Sequence, residues 1–223
     1  MQVEVAEDAA RLAARAAGVV VDAAREGVAR NGRFCLAVSG GRTPSAMLAH
    51  LARAELAWDR VHVFQVDERV VPDGDPGRNL TDLRRELLDR VPAHAHLMDV
   101  TAADPEAAAA AYATELDEVC AGALDLVHLG LGDDGHTASW PPGDPVVADE
   151  RDVALAGPYA GFRRMTLTPR AVNRAASIFF LVSGADKRDA LAGLRRGDPA
   201  LPASRVRPGA LVLADRAAAG APT

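Results

Sequence analysis

The chain alternates short runs of strand length with longer segments in which apolar residues recur at helical spacing. Strands are predicted over residues 34–38, 61–66, 94–98 and 124–129. Helices are predicted over residues 4–30, 44–54, 79–90 and 104–121. A short continuous apolar run is typical of a strand buried on both faces, and strands that alternate with helices form parallel sheets.

Further apolar runs at 164–168, 177–183 and 211–214 are expected to complete the sheet. The predicted fold is therefore doubly wound α/β, a mostly parallel sheet with helices on both faces in a Rossmann-like arrangement. No stretch is rich enough in Gly, Ser or Pro to act as a linker, so residues 1–223 are predicted to form a single domain.

Composition narrows the range of partners. The formal net charge is −6 and no basic block with interleaved aromatic residues occurs, which argues against a nucleic-acid partner. No apolar run approaches the ~18 residues that cross a bilayer, and the N-terminus does not have the pattern of a secretory signal. A soluble, cytoplasmic monomer or small homo-oligomer without a membrane partner is expected. Cys35 and Cys120 are interpreted as small buried residues.

The strand at 34–38 leads directly into a glycine turn and a helix. The residues of this turn are Ser39, Gly40, Gly41, Arg42 and Thr43, followed by Pro44. Two glycines allow a tight turn, and the N–H groups at a helix start attract an anion, as do two hydroxyls and an arginine. The pattern is typical of a phosphate-binding loop. The alternative is a simple strand-to-helix turn capped by Thr43.

Three charged residues, Asp67, Glu68 and Arg69, follow the strand at 61–66. A carboxylate here can move a proton or orient a sugar hydroxyl, and Arg69 can hold a phosphate oxygen. Because ligands of open α/β sheets bind at the carboxyl ends of strands, the loops at 39–44, 67–78 and 130–143 are expected to meet at one edge. A solvated loop with an internal ion pair remains the alternative for these charges.

The loop after the strand at 124–129 reads Gly-Leu-Gly-Asp-Asp-Gly-His-Thr-Ala-Ser over residues 130–139. Histidine is the side chain whose unperturbed pKa lies near neutrality, so His136 is the candidate acid/base group, and Asp134 can fix its tautomer and orientation. A surface histidine in a glycine turn is the alternative. The glycines also match a dinucleotide-binding pattern, but Pro141 and Pro142 interrupt the helix that this pattern requires.

Lys187 is the only lysine in a chain whose other strongly basic residues are all arginine. A compact ammonium group on a flexible stem suits a point-charge contact to phosphate, although chance retention of one lysine is the alternative. The other histidines are assigned structural roles. Their spacing is not that of metal ligands, so no metal and no cofactor are expected.

Together these motifs resemble the 6-phosphogluconolactonases, in the superfamily that also contains the glucosamine-6-phosphate deaminases. The resemblance extends over nearly the whole chain. It rests on residues 39–44, residues 67–69 with Asn79, the loop at 130–139, Arg-Met-Thr-Leu-Thr at 164–168, and residues 184–187. The deaminases usually continue after Asp-Gly-His with Ile-Ala-Phe-Asn, whereas this chain continues with Thr-Ala-Ser-Trp, which favours the lactonase branch.

The resemblance implies a metal-independent hydrolase of the pentose phosphate pathway that opens 6-phosphogluconolactone, a phosphorylated sugar lactone, to 6-phosphogluconate. It places the acid/base role on His136, with Asp67 and Asp134 as the matching acids. It places phosphate binding on residues 39–43 with Arg69, Arg164 and Lys187, and Arg163 is the alternative to Arg164. A sugar-phosphate deaminase or isomerase, and a non-catalytic sugar-phosphate sensor, are the competing interpretations.

Overall fold

A computed structural model of the protein describes residues 1–220. The strands in this range are β1 (Gln2–Ala6), β2 (Phe34–Val38), β3 (Val61–Gln65), β4 (Asp67–Arg69), β5 (His94–His96), β6 (Leu126–Leu129), β7 (Val153–Tyr159), β8 (Phe162–Leu167), β9 (Ser177–Val182) and β10 (Leu211–Asp215). The α-helices are α1 (Ala9–Asn31), α2 (Arg42–Leu51), α3 (Asn79–Leu83), α4 (Pro105–Cys120), α5 (Pro169–Arg174), α6 (Arg188–Arg196) and α7 (Arg216–Ala219).

A seven-stranded sheet runs through the centre of the described residues in the order β1-β10-β9-β6-β2-β3-β5. Every neighbouring pair in it is parallel. The chain reaches both sides of β2 by helical crossovers, as in doubly wound folds. The predicted α/β class is confirmed.

Alternate residues of the central strands feed two hydrophobic cores. In β2, Phe34, Leu36 and Val38 pack into the core beneath α1 and α2. Cys35 and Ala37 point to the opposite face, where they join α4, α5 and α6. Since both faces are covered, all five residues of β2 are buried, which explains the continuous apolar run.

A smaller antiparallel sheet with the order β4-β8-β7 packs on the α4 side of the molecule. It corrects two expectations and adds a strand that was not predicted. Residues 67–78 are not entirely loop, because Asp67–Arg69 pair with β8. The apolar run at 164–168 lies in this sheet and not in the parallel one, since buried side chains such as Met165 and Leu167 indicate burial but not the strand's partner. Strand β7 was not predicted.

The helix expected over residues 4–30 begins later than predicted. Residues 2–6 form the edge strand β1, in which Val3 and Val5 alternate with polar residues. Helix α1 starts after Asp8, whose carboxylate accepts a hydrogen bond from the backbone N–H of Arg11 at 2.8 Å. Two apolar residues that alternate with polar ones, next to a long helical pattern, were too short a pattern to predict the strand.

Two further helix boundaries differ from the prediction. Helix α2 begins at Arg42 with Gly41 as its N-cap, so Thr43 lies inside the first turn and does not cap the helix. The helix predicted over 79–90 is divided into α3 and a π-helical segment, residues 84–88. That residues 1–223 form a single domain stays a prediction, and 221–223 lie outside the described residues. Within residues 1–220, every helix is too short or too polar to cross a lipid bilayer.

Candidate active site

Strands β9, β6, β2 and β3 are neighbours, so the loops at their carboxyl ends meet at one edge of the sheet. There they enclose a pocket of about 660 Å³. The predicted site residues that line it are Ser39, Gly40, Gly41, Arg42, Thr43, Asp67, Arg69, His136, Arg164 and Lys187. The expectation that these loops meet is confirmed.

The glycine turn is held from beneath by His128 of β6. The backbone N–H of Ser39 donates to His128 Nδ1 at 3.2 Å, and the Ser39 hydroxyl donates to the His128 carbonyl at 3.2 Å. Burial lowers the pKa of His128 to about 3, so the ring stays neutral and Nδ1 can accept. Gly40 packs directly on Asn79, where a Cβ atom would overlap the amide side chain. The turn therefore requires glycine at this position.

Glu68 organises the next loop from a fully buried position. Its Oε1 accepts the N–H groups of Arg69 and Asn79, both at 2.8 Å, and its Oε2 accepts the N–H of Leu80 at 2.8 Å. The carboxylate thereby caps the start of α3. Arg69 Nη1 in turn donates to the carbonyl of Gly77 and lies 3.4 Å from Asn79 Oδ1. The sequence did not predict this capping role of Glu68, because Asn79 and Leu80 lie more than ten residues away.

His136 and Asp134 form a hydrogen-bonded pair. His136 Nδ1 lies 2.6 Å from Asp134 Oδ1, which also accepts the backbone N–H of His136 at 3.0 Å. The hydroxyl of Tyr159 donates to Asp134 Oδ2 at 2.8 Å. Although partial burial opposes ionisation, the hydrogen bonds from His136 and Tyr159 lower the pKa of Asp134. Because a carboxylate accepts only, Nδ1 of His136 carries a proton and Nε2 is the nitrogen left to act as a base.

The absence of a side chain at Gly132 leaves room for His136 and Asp134. A Cβ atom at Gly132 would overlap His136 Nδ1 and lie 2.6 Å from Asp134 Oδ1. The backbone N–H of Gly132 also donates to the carbonyl of His136 at 2.8 Å, which closes the loop. The glycine at this position therefore permits the imidazole to lie against the main chain.

Asp67 is buried in the wall of the pocket. Its Oδ2 accepts the hydroxyl of Ser139 at 2.6 Å and lies 3.9 Å from Arg164 Nη1. Burial raises the pKa of Asp67, against the opposing effects of Ser139 and Arg164. The buried Nε of Arg164 has no hydrogen-bond partner within residues 1–220. Arg163 is exposed on the same strand, so Arg164 is the arginine that reaches the pocket.

Lys187 approaches from the loop after β9. Its Nζ lies 3.0 Å from Asp186 Oδ2 and its side chain is half-buried. The loop is fixed by Asp215, which accepts the Ser183 hydroxyl at 2.5 Å and the N–H of Gly184 at 3.2 Å. The short helical turn 185–187 thus presents the ammonium group on a well-supported backbone.

Basic side chains outnumber the acidic ones in the pocket lining, where the acids are Asp67, Asp82 and Asp186, even though the chain carries a net charge of −6. The cations that line it are Arg42, Arg69, Arg78, Arg164 and Lys187. Sequence reasoning missed Arg78, a buried arginine that contacts Glu68 and Asp73. In the described part of the chain no three His, Cys, Asp or Glu side chains converge as metal ligands. Independence from a metal remains a prediction.

The family model for glucosamine-6-phosphate isomerases and 6-phosphogluconolactonases matches residues 7–214, and the chain belongs to this family. A 6-phosphogluconolactonase from Synechocystis is 41% identical over 199 residues, which cover 85% of this chain and 83% of that protein. The crystal structure of 6-phosphogluconolactonase from Thermotoga maritima is 25% identical, with a TM-score of 0.85 over 96% of this chain and 98% of that chain.

A monomeric glucosamine-6-phosphate deaminase shares the fold as closely, with a TM-score of 0.88 over 99% of both chains at 20% identity. At this identity the likeness is one of fold alone. The fold therefore does not separate the two branches, whereas the curated relatives and the loop that follows His136 do. The resemblance to the 6-phosphogluconolactonases is confirmed.

Proposed function

We propose that the chain hydrolyses 6-phosphogluconolactone to 6-phosphogluconate, a step of the pentose phosphate pathway, with His136 as the acid/base group. The observation that carries this proposal is that a single pocket joins the imidazole of His136 to Arg42, Arg69, Arg164 and Lys187. Membership of the family indicates the class of reaction. The pocket contains cations suited to the phosphate group of such a substrate and an imidazole suited to its lactone carbonyl. We further expect a cytoplasmic monomer or small homo-oligomer that has no nucleic-acid partner and needs no cofactor.

The phosphate group is the anchor of the substrate in this proposal. The N–H groups at the start of α2 and the hydroxyl of Thr43 donate to its oxygens, while Ser39, whose hydroxyl donates to the His128 carbonyl, shapes the turn that presents them. Arg69, Arg164 and Lys187, which all line the pocket, supply positive charge. Binding energy from this remote group then orients the lactone at His136.

The chemistry begins with water held by Nε2 of His136. The imidazole takes a proton from this water as its oxygen attacks the lactone carbonyl, and a tetrahedral intermediate forms. When the intermediate collapses, the bond from the carbonyl carbon to the ring oxygen breaks, and the imidazolium returns the proton to that oxygen. Asp134 holds the ring and stabilises its charged form. Asp67, whose carboxyl lines the pocket, orients a hydroxyl of the sugar.

A pH-stat assay with freshly prepared 6-phosphogluconolactone, corrected for spontaneous ring opening, tests the proposal. We expect acid release well above the background rate. Release of ammonia from glucosamine 6-phosphate would assign the chain to the deaminase reaction. Binding of 6-phosphogluconate without turnover of the lactone would indicate a sensor. Either result would replace the proposed function.

A further inference from the structure

Tyr159, at the end of β7, lies directly behind the catalytic pair. Its hydroxyl is 2.8 Å from Asp134 Oδ2 and 3.2 Å from His136 Nδ1. Its ring meets the imidazole edge to face, with the ring centroids 5.2 Å apart. Arg164 lies over the tyrosine ring, with Cζ 5.5 Å from the ring centroid. The side chain of Tyr159 thus contacts both the proposed acid/base pair and Arg164, an arginine that is proposed to bind the phosphate group of the substrate.

The hydroxyl of Tyr159 has one proton to donate. Nδ1 of His136 already carries a proton, which it donates to Asp134, so Nδ1 cannot accept and Asp134 is the acceptor for the Tyr159 hydroxyl. The two oxygens of Asp134 are therefore shared: Oδ1 accepts from His136 and Oδ2 accepts from Tyr159. Burial and the neighbouring Asp134 raise the pKa of Tyr159 to about 12, so the phenol remains a donor at neutral pH.

We propose that Tyr159 is a positioning residue that fixes Asp134 and limits the basicity of His136. The inference rests on the proposed role of His136. A carboxylate that already accepts a hydrogen bond from a phenol is a weaker partner for an imidazolium than one without this bond. The hydroxyl therefore shares Asp134 with the imidazole, and it holds this carboxylate in the orientation that aims Nε2.

Other charged groups surround this pair, and Tyr159→Phe alters none of their side chains. Asp133 belongs to the same loop, and Arg164 reaches Tyr159 from β8. Asp67, Arg69 and Lys187 also line the same pocket. A change in the titration of His136 in Tyr159→Phe can therefore be assigned to the lost hydroxyl.

The test compares Tyr159→Phe with Tyr112→Phe, which removes the hydroxyl of the only other tyrosine. The Tyr112 hydroxyl bonds to the backbone of Gln65 in the core, at 2.7 Å from its nitrogen. In Tyr159→Phe we expect the acidic limb of the kcat/KM profile to move up by roughly 0.5 pH unit. We expect kcat to fall about three- to tenfold and KM to change by less than about twofold. Tyr112→Phe should leave the limb in place.

An NMR titration of the His136 ring gives a second readout that does not require turnover. Its midpoint should move to higher pH in Tyr159→Phe, together with the kinetic limb. A midpoint and limb that stay in place would overturn the role of Tyr159, and so would a loss of activity without any shift, since that indicates mere packing. Full activity of His136→Ala would instead overturn the proposed acid/base role of His136. Failure of the Tyr159 proposal can therefore be distinguished from failure of the proposed mechanism.

Discussion

The imidazole of His136 has one nitrogen bound to Asp134 and the other available to a ligand in the pocket. Replacing His136 with Ala removes the proton acceptor but none of the cations, so kcat should fall by about 10²–10⁴ while KM stays nearly constant. Initial rates in the pH-stat assay measure this effect. His50→Ala, at an exposed histidine near the end of α2, is the control. A His136→Ala enzyme with the wild-type rate would contradict the mechanism.

Gly132 tests whether the position of this ring matters. In Gly132→Ala the new methyl group would overlap His136 Nδ1, so the imidazole must move away from Asp134. We expect kcat to fall about tenfold to a hundredfold, because a displacement of about 1 Å in a catalytic group has effects of this size.

The matched control for Gly132→Ala is Gly18→Ala, in the middle of α1. A Cβ atom there meets nothing closer than 4.0 Å. The control should keep full activity and unfold at a slightly higher temperature, because alanine stabilises a helix interior relative to glycine. Equal rates for Gly132→Ala and Gly18→Ala would show that the ring tolerates displacement.

Site residues could be predicted from the sequence when their interaction partners lie nearby in the chain. His136 and Asp134 are two residues apart in one glycine-rich loop, so their pairing could be predicted from that loop alone. Tyr159 is 23 residues beyond His136, on a strand that the hydrophobic pattern did not reveal. Its hydroxyl reaches Asp134 only because the fold packs the end of β7 against the loop that follows β6, and a local sequence pattern does not record such a contact.

The loop before α3 depends on one buried carboxylate. Glu68 accepts four donors, two at each oxygen, and lies 3.6 Å from the buried guanidinium of Arg78. In Glu68→Gln an amide nitrogen would face two donors, and Arg78 would lose its buried counter-charge. We expect a loss of about 3 kcal/mol in the free energy of unfolding, measured by urea denaturation.

The control for Glu68→Gln is Glu7→Gln, at a surface pair with Arg11 in which Glu7 is 51% exposed. Exposed pairs contribute little, so this change should stay within about 0.5 kcal/mol. If both substitutions cost the same, Glu68 does not hold the loop. A fall in activity that follows only the fraction of folded protein would also limit Glu68 to a role in stability.

The strands that could be predicted differ physically from those that could not. Strands β2, β3, β6 and β9 are covered on both faces, so their sequences are almost continuously apolar. Strand β4 consists of three charged residues, and β7 is buried over only part of its length. Their pairing comes from packing against the parallel sheet, and a pattern of apolar residues does not record it.

His128 links the stability of the protein to the site. It lies on the central strand β6 without exposed surface, its ring centroid is 5.1 Å from that of Phe179, and it accepts the N–H of Ser39. Protonation would remove that acceptor and place a charge in the core, which is why burial lowers its pKa to about 3. Below the ordinary pKa of histidine the unfolded chain binds this proton and the native protein does not.

The free energy of unfolding should therefore depend on pH, and the direction of the change is fixed. The contribution of His128 to stability is fully present above about pH 6.5 and is lost as the pH falls, at about 1.4 kcal/mol per pH unit. His128→Asn keeps an acceptor for the N–H of Ser39 but does not titrate. The difference in unfolding free energy between wild type and His128→Asn should therefore shrink or reverse between about pH 6.5 and about pH 4.5.

Urea denaturation at several pH values in this range measures that difference, with His50→Asn as the exposed control. Other shifted groups are common to all three proteins and cancel. Asp67 is one of them, and its raised pKa acts in the opposite sense because the native state then binds the proton more readily. Parallel stability curves for wild type and His128→Asn would show that His128 is protonated at no cost to the fold. The neutral ring beneath Ser39 would then not be what holds the glycine turn.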